Sequence, residues 1–142
     1  MKLMTFMCTM LCASYAYANL QRTDPLDKRT ITVFVPNIGS NKGLVIYSLY
    51  GEDGFVSPPI QNTTSYVIDR KSQVVFRDVS PGEYAIVCYH DSNTNGRMDF
   101  SPNGRALEDY GVSNNPMSYG RPEYETAKFM VSQKNVTLEI KF

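Results

Sequence analysis

The chain has 142 residues, with 14 Lys and Arg balanced by 14 Asp and Glu, and it carries three Cys and no Trp. Balanced charge excludes the basic footprint of a nucleic-acid binder, and the length suits a single hydrophobic core. No segment approaches the roughly 20 apolar residues that a membrane-spanning helix needs.

In chain order, residues 1–18 come first: Lys2 starts a largely apolar run over 3–13, and Ala16-Tyr17-Ala18 places small residues at a cleavage site. This pattern predicts a secretory signal peptide. It makes the product exported, either periplasmic or extracellular. Residues 19–28 lack apolar periodicity and read as a leader, so the domain is expected over 29–142. Cys8 and Cys12 leave with the signal, so Cys88, inside the apolar run Tyr84-Ala85-Ile86-Val87-Cys88-Tyr89, stays without a disulfide partner. It is read as a small buried hydrophobe.

Ile31, Val33 and Val35 alternate with Thr32 and Phe34. Residues 43–50 are apolar on both faces, as a central strand requires, and 83–90 repeat that pattern. Shorter strands are expected over 65–68 and 73–79, joined by the polar turn Asp69-Arg70-Lys71-Ser72, and further strands over 125–132 and 136–142. The last alternates Val136, Leu138, Ile140 and Phe142 with Thr137, Glu139 and Lys141. One helical turn is allowed near 122–127. Period-two alternation bounded by turn residues predicts an antiparallel all-β fold. Its form is a single immunoglobulin-like or transthyretin-like β-sandwich of about seven strands with one long loop.

That loop is expected over 91–123, dense in Asn, Gly, Pro, Ser and Tyr. Loops longer than about 12–15 residues are usually functional or disordered. The aromatic content of this one, with Tyr110, Met117, Tyr119 and Tyr124, favours an ordered segment with internal ties.

Its opening run, Asp91-Ser92-Asn93-Thr94-Asn95-Gly96-Arg97-Met98-Asp99, carries an oxygen ligand at alternate positions and a Gly for the sharp turn. A calcium loop is built this way. Asp91, Asn93, Asn95, the Arg97 carbonyl and Asp99 fill the first five ligand positions; Pro102 falls where the bidentate acid belongs, and Glu108 or Asp109 is the candidate replacement. A strand rather than a helix enters the loop, so this is no EF-hand. Two readings stand: a calcium-ordered loop with Asp91, Asn93, Asn95, Arg97, Asp99 and Glu108 as ligands, or a metal-free series of Asx turns.

Three blocks carry a family resemblance. They are Phe76-Arg77-Asp78-Val79-Ser80-Pro81-Gly82-Glu83-Tyr84-Ala85-Ile86, then 90–99, then Glu108-Asp109-Tyr110-Gly111-Val112-Ser113-Asn114-Asn115 followed by Glu125-Thr126-Ala127-Lys128-Phe129. In these the chain resembles the bacterial domain-of-unknown-function family 2141. Gly104-Arg105-Ala106 departs from the Gly-Ile-Pro usual in that family. The resemblance implies an exported β-sandwich and no established activity.

The preferred functional expectation is a non-enzymatic binding or structural envelope module. Tyr110, Tyr119 and Arg121, with Tyr124 and Arg105 nearby, form a candidate binding patch for an envelope protein, peptide or glycan. The bland alternative has these tyrosines packing the loop and the arginines pairing with Glu108, Asp109 or Glu123. The enzymatic alternative is a transthyretin-like hydrolase using His90, the one histidine. Asp91 cannot orient His90 within a strand, since neighbours point to opposite faces. Ser113 lacks the Gly-x-Ser-x-Gly elbow of a strained nucleophile.

Overall fold

The computed structural model describes residues 27–117 and 120–142. The expected signal peptide, most of the leader and Tyr119 lie outside the described residues. Among the described residues eight strands form two sheets. In chain order they are β1 Arg29–Val35, β2 Leu44–Tyr50, β3 Gln61–Tyr66, β4 Ser72–Val79, β5 Gly82–Asp91, β6 Tyr110–Val112, β7 Phe129–Val131 and β8 Val136–Glu139. A 3-10 turn occupies Gly54–Val56, and the short helix α1 spans Tyr124–Ala127.

The smaller sheet has the order β4-β1-β8; the larger has β3-β2-β5-β6, with β7 also paired to β5. β1 and β8 run parallel, with Val33 opposite Leu138, while the other pairs are antiparallel. Alternation places Ile31, Val33 and Val35 from β1, Phe76 from β4, and Tyr47 and Ile86 from the larger sheet in one buried core. Burial of such side chains contributes roughly 1.5–3 kcal/mol each. Cys88 is buried here too, as its apolar run predicts, and burial pushes its thiol above its ordinary pKa.

β3 and β4 join the two sheets through a two-residue hairpin turn. Asp69 and Arg70 both adopt positive φ, at 50° and 57°, the conformation that two-residue hairpins favour but non-glycine residues resist. The turn is held from outside. The Arg70 N–H donates to Asn41 Oδ1 at 2.6 Å and its Nε donates to the Ile38 carbonyl at 2.8 Å.

Where the elements differ from expectation, tertiary pairing overrides local pattern. The strand expected over 65–68 is instead β3, Gln61–Tyr66, a polar edge strand that periodicity cannot mark. The run expected as a strand over 125–132 divides into α1 and β7. The long loop is interrupted by β6, three residues recruited to β5 by pairing Val87 with Val112 and Tyr89 with Tyr110.

Gly111 is central to that pairing. A Cβ there would lie 2.6 Å from Ile140 Cγ2 and from the Lys141 carbonyl, so only glycine lets the chain end cross β6. The outer edge of β8 is covered by one side chain. Asn115 donates from Nδ2 to the Glu139 carbonyl and accepts the Lys141 N–H at Oδ1, both at 2.8 Å. Its amide thus occupies the place of a neighbouring strand, which blunts an edge otherwise open to pairing.

Candidate functional site

The site grows from β5, whose side chains alternate between two faces. Tyr84, Ile86 and Cys88 turn toward the core. Ala85 belongs instead to a second cluster on the outer face, with Val112, Ala127, Phe55, Val87 and Tyr124. Phe55 links Tyr50 and Tyr124 through edge-to-face contacts at 5.0 and 5.7 Å. Lys128, paired with Glu125 at 2.8 Å and Glu83 at 3.4 Å, ties α1 to β5. Tyr124 therefore packs, as the bland alternative for these tyrosines has it.

At the end of β5 the expected metal-loop residues share one turn. Asp91 is 1% exposed. Its Oδ1 accepts the Asn95 N–H at 3.0 Å and its Oδ2 accepts the Gly96 N–H at 2.8 Å. Gly96, at φ 77°, supplies the sharp bend. The Asn93 and Asn95 amides both donate to Asp99 Oδ2, at 2.7 and 2.8 Å. Arg97 contributes its N–H to Asn95 Oδ1 at 3.0 Å and its guanidinium to Asp99 Oδ1 at 3.5 Å. The Asn93 amide, assisted by Asn95 and Arg97, holds the Asp99 carboxyl below the usual carboxylate value.

Glu108 folds back onto this turn. Its two oxygens accept the N–H groups of Ser92 at 3.2 Å and Asp99 at 3.3 Å. The His90 N–H donates to the Asp109 carbonyl at 2.9 Å, which closes the loop at its base. The run 91–109 is thus a hydrogen-bonded clasp. Among the described residues, no group of three or more Asp, Glu, His and Cys side chains stands in a metal-holding cluster.

His90 is buried, and its Nε2 lies 2.6 Å from the Lys42 carbonyl. A carbonyl only accepts, so Nε2 carries the hydrogen. Ser113 Oγ accepts the Ile86 N–H at 3.0 Å and donates to the Ala127 carbonyl at 2.5 Å. Ile86 lies four residues from His90 along β5, about 13 Å at strand rise. The two candidate catalytic side chains are therefore placed apart, each engaged with backbone.

The outer face of the larger sheet carries a groove of about 1180 Å³. Ser48, Tyr50, Val87, Tyr89 and Tyr110 supply strand positions along it, with Phe55 and Val56 from the 3-10 turn. Met98, Phe100, Arg105 and Ala106 come from the clasp loop, and Arg121 and Pro122 from the chain beyond. Val56 is 95% exposed and Phe100 60% exposed, so apolar surface continues past the groove. Burial raises the Tyr89 phenol above its ordinary pKa, and Asp91, Glu108 and Asp99 add to the shift. Groove and clasp are electrostatic neighbours.

Of the expected binding residues, Tyr110 and Arg121 come together here, joined by Arg105. The Tyr110 hydroxyl donates to the Gly120 carbonyl at 3.0 Å. The expected pairing of Arg105 and Arg121 with Glu108, Asp109 or Glu123 is not present: among the described residues neither guanidinium has an ion-pair partner. Reading the sequence missed Tyr50, Val87 and Tyr89, which line the groove. The available signal was a central strand apolar on both faces, which needs cover on both and here is covered only over part of the outer one.

Among the described residues no helix is long and apolar enough to cross a membrane. Comparison with curated proteins and with solved structures gives no match. A family model does match residues 33–139, most of the two sheets and all of the clasp. The chain belongs to the family described as "Uncharacterized protein conserved in bacteria (DUF2141)".

Proposed function

We propose that this is an exported, non-catalytic binding module whose recognition surface is the groove on the outer face of the larger sheet. The observation that carries the reading is the half-covered outer face of β5. Val87 and Tyr89 sit on a central strand, yet they line a groove of about 1180 Å³ with Tyr110 and two arginines that have no ion-pair partner among the described residues. Concave, mostly apolar surface with a few placed polar groups is the usual form of a ligand site. Rigid scaffolds commonly present such sites through loops. The signal-like residues 1–18 support export.

A fragment screen read by amide shifts tests the proposal. Hits are expected to converge on Ser48, Val87, Tyr89 and Tyr110. Hits scattered over other surfaces, with those amides unmoved, contradict it.

A second reading concerns the clasp, for which we propose weak calcium binding. What supports it is the gathering of Asp91, Asn93, Asn95 and Asp99 in one turn. A carboxylate oxygen that accepts one N–H retains a second lone pair. Asn93 Oδ1 and Asn95 Oδ1 each accept one backbone N–H and likewise keep a second lone pair. Few carboxylates set an affinity on the order of 10⁻⁴–10⁻³ M. A melting temperature higher in millimolar calcium than in chelator is the expected result; identical melting in both excludes it.

A further inference from the structure

We propose that the groove takes an anionic amphiphile, a long-chain carboxylate whose apolar chain lies on the aromatic floor while Arg105 and Arg121 hold its head. The inference rests on the binding reading above and names its ligand class. Three observations carry it.

The first is which polar groups remain available. The Ser48 hydroxyl already donates to Asn62 Oδ1 at 2.7 Å, and the Tyr110 hydroxyl to the Gly120 carbonyl. Both Glu108 oxygens already accept backbone N–H groups of the clasp. The two guanidiniums remain without ion-pair partners among the described residues. A guanidinium forks onto a carboxylate with two parallel hydrogen bonds.

The second is the character of the rest of the groove. Phe55, Val56, Val87, Met98, Phe100 and Phe142 line it. That surface suits methylene groups, and Tyr50, Tyr89 and Tyr110 add ring faces to it. A volume of about 1180 Å³ accommodates one extended chain with room at the mouth.

The third is what the floor cannot do. A peptide recognised by strand addition needs a free sheet edge. β2 is paired by β3 and β5, and β5 is paired by β2, β6 and β7. β2 and β5 therefore offer side chains and no main-chain ladder, and among the described residues the one floor strand with an open edge is β6, whose three residues are too few for an extended peptide ladder. Glu108 and Asp109 also line the groove, and their charge weighs against a dianionic phosphate head at this range. A monoanion fits better.

The experiment is titration calorimetry of the protein with dodecanoate below its micelle threshold at neutral pH. Saturable 1:1 binding is expected, weakened at least about tenfold by R105Q combined with R121Q. Acetate and dodecyltrimethylammonium are expected not to bind. Equal affinity for the cationic amphiphile, or a double variant that binds like the parent, overturns the proposal. The Tyr89→Thr variant separates the two claims. If it loses dodecanoate while the arginine variant does not, the groove stands and the anionic head is wrong. If neither variant changes binding, the groove reading itself falls. An acidic peptide that outcompetes dodecanoate at the groove overturns the ligand class alone.

Discussion

The two faces of β5 are covered differently within one strand. Its inner face presents Ile86 and Cys88, which are fully buried, and His90, whose ring nitrogen is engaged by the Lys42 carbonyl. Its outer face is closed at both ends only. Ala85 lies beneath Phe55 and Tyr124, Asp91 is locked in the clasp, and Val87 and Tyr89 between them line the groove. Buried hydrophobes are expected of any sandwich core. An aromatic residue half-open on a central strand is the more informative observation, because the fold gains little from leaving it uncovered.

Substitutions on the two faces should therefore separate stability from binding. The largest effect is expected from Phe76→Ala, which empties a core site that is 1% exposed. A loss of about 3–5 kcal/mol in denaturant unfolding is predicted; a loss under about 1 kcal/mol would show that the two sheets do not share the packed core described.

Asp91→Ala comes next. It removes the two hydrogen bonds that the N–H groups of Asn95 and Gly96 make to the carboxylate, a loss of about 1–3 kcal/mol for the pair. Hydrogen exchange should quicken at these two amides more than at core strands such as β1. Uniform quickening across the chain would mean that the clasp is no separate unit.

The pH dependence of the clasp gives a smaller and more specific effect. Hydrogen bonds from Asn93 and Asn95, with Arg97 beside them, depress the Asp99 pKa. A depressed carboxylate contributes stability above its unfolded pKa of about 3.9 and loses it as pH falls through the lower folded value. Unfolding midpoints measured from neutral to acid should show a small acid-side decline, and Asp99→Asn should flatten it. An unchanged profile in that variant would place the decline on another group.

Much of the fold was legible in the sequence because its interior strands are half or wholly buried. Ile31, Val33 and Val35 alternate because only one face of β1 meets the core, and residues 43–50 and 83–90 read as central strands because they are apolar on both faces, although their outer face is only part-covered. β3 was misplaced because Gln61–Tyr66 is an edge strand with no wholly buried residue. β6 escaped because three residues carry no period. The clasp residues were legible as a loop because their Asx-turn chemistry is local. The groove was not, since it assembles Tyr50, Tyr89, Arg105 and Tyr110 from four places in the chain, and only the sheet order brings them together.

The most direct test of the division between faces is to measure melting temperature and dodecanoate affinity together on Tyr89→Thr. The threonine keeps β propensity while removing the ring from the groove. The predicted result is melting within the shift of about 0.5 kcal/mol expected of a surface change, with binding lost. Melting that falls as far as in Phe76→Ala, or affinity equal to the parent's, would contradict a groove built for recognition on the outer face of β5.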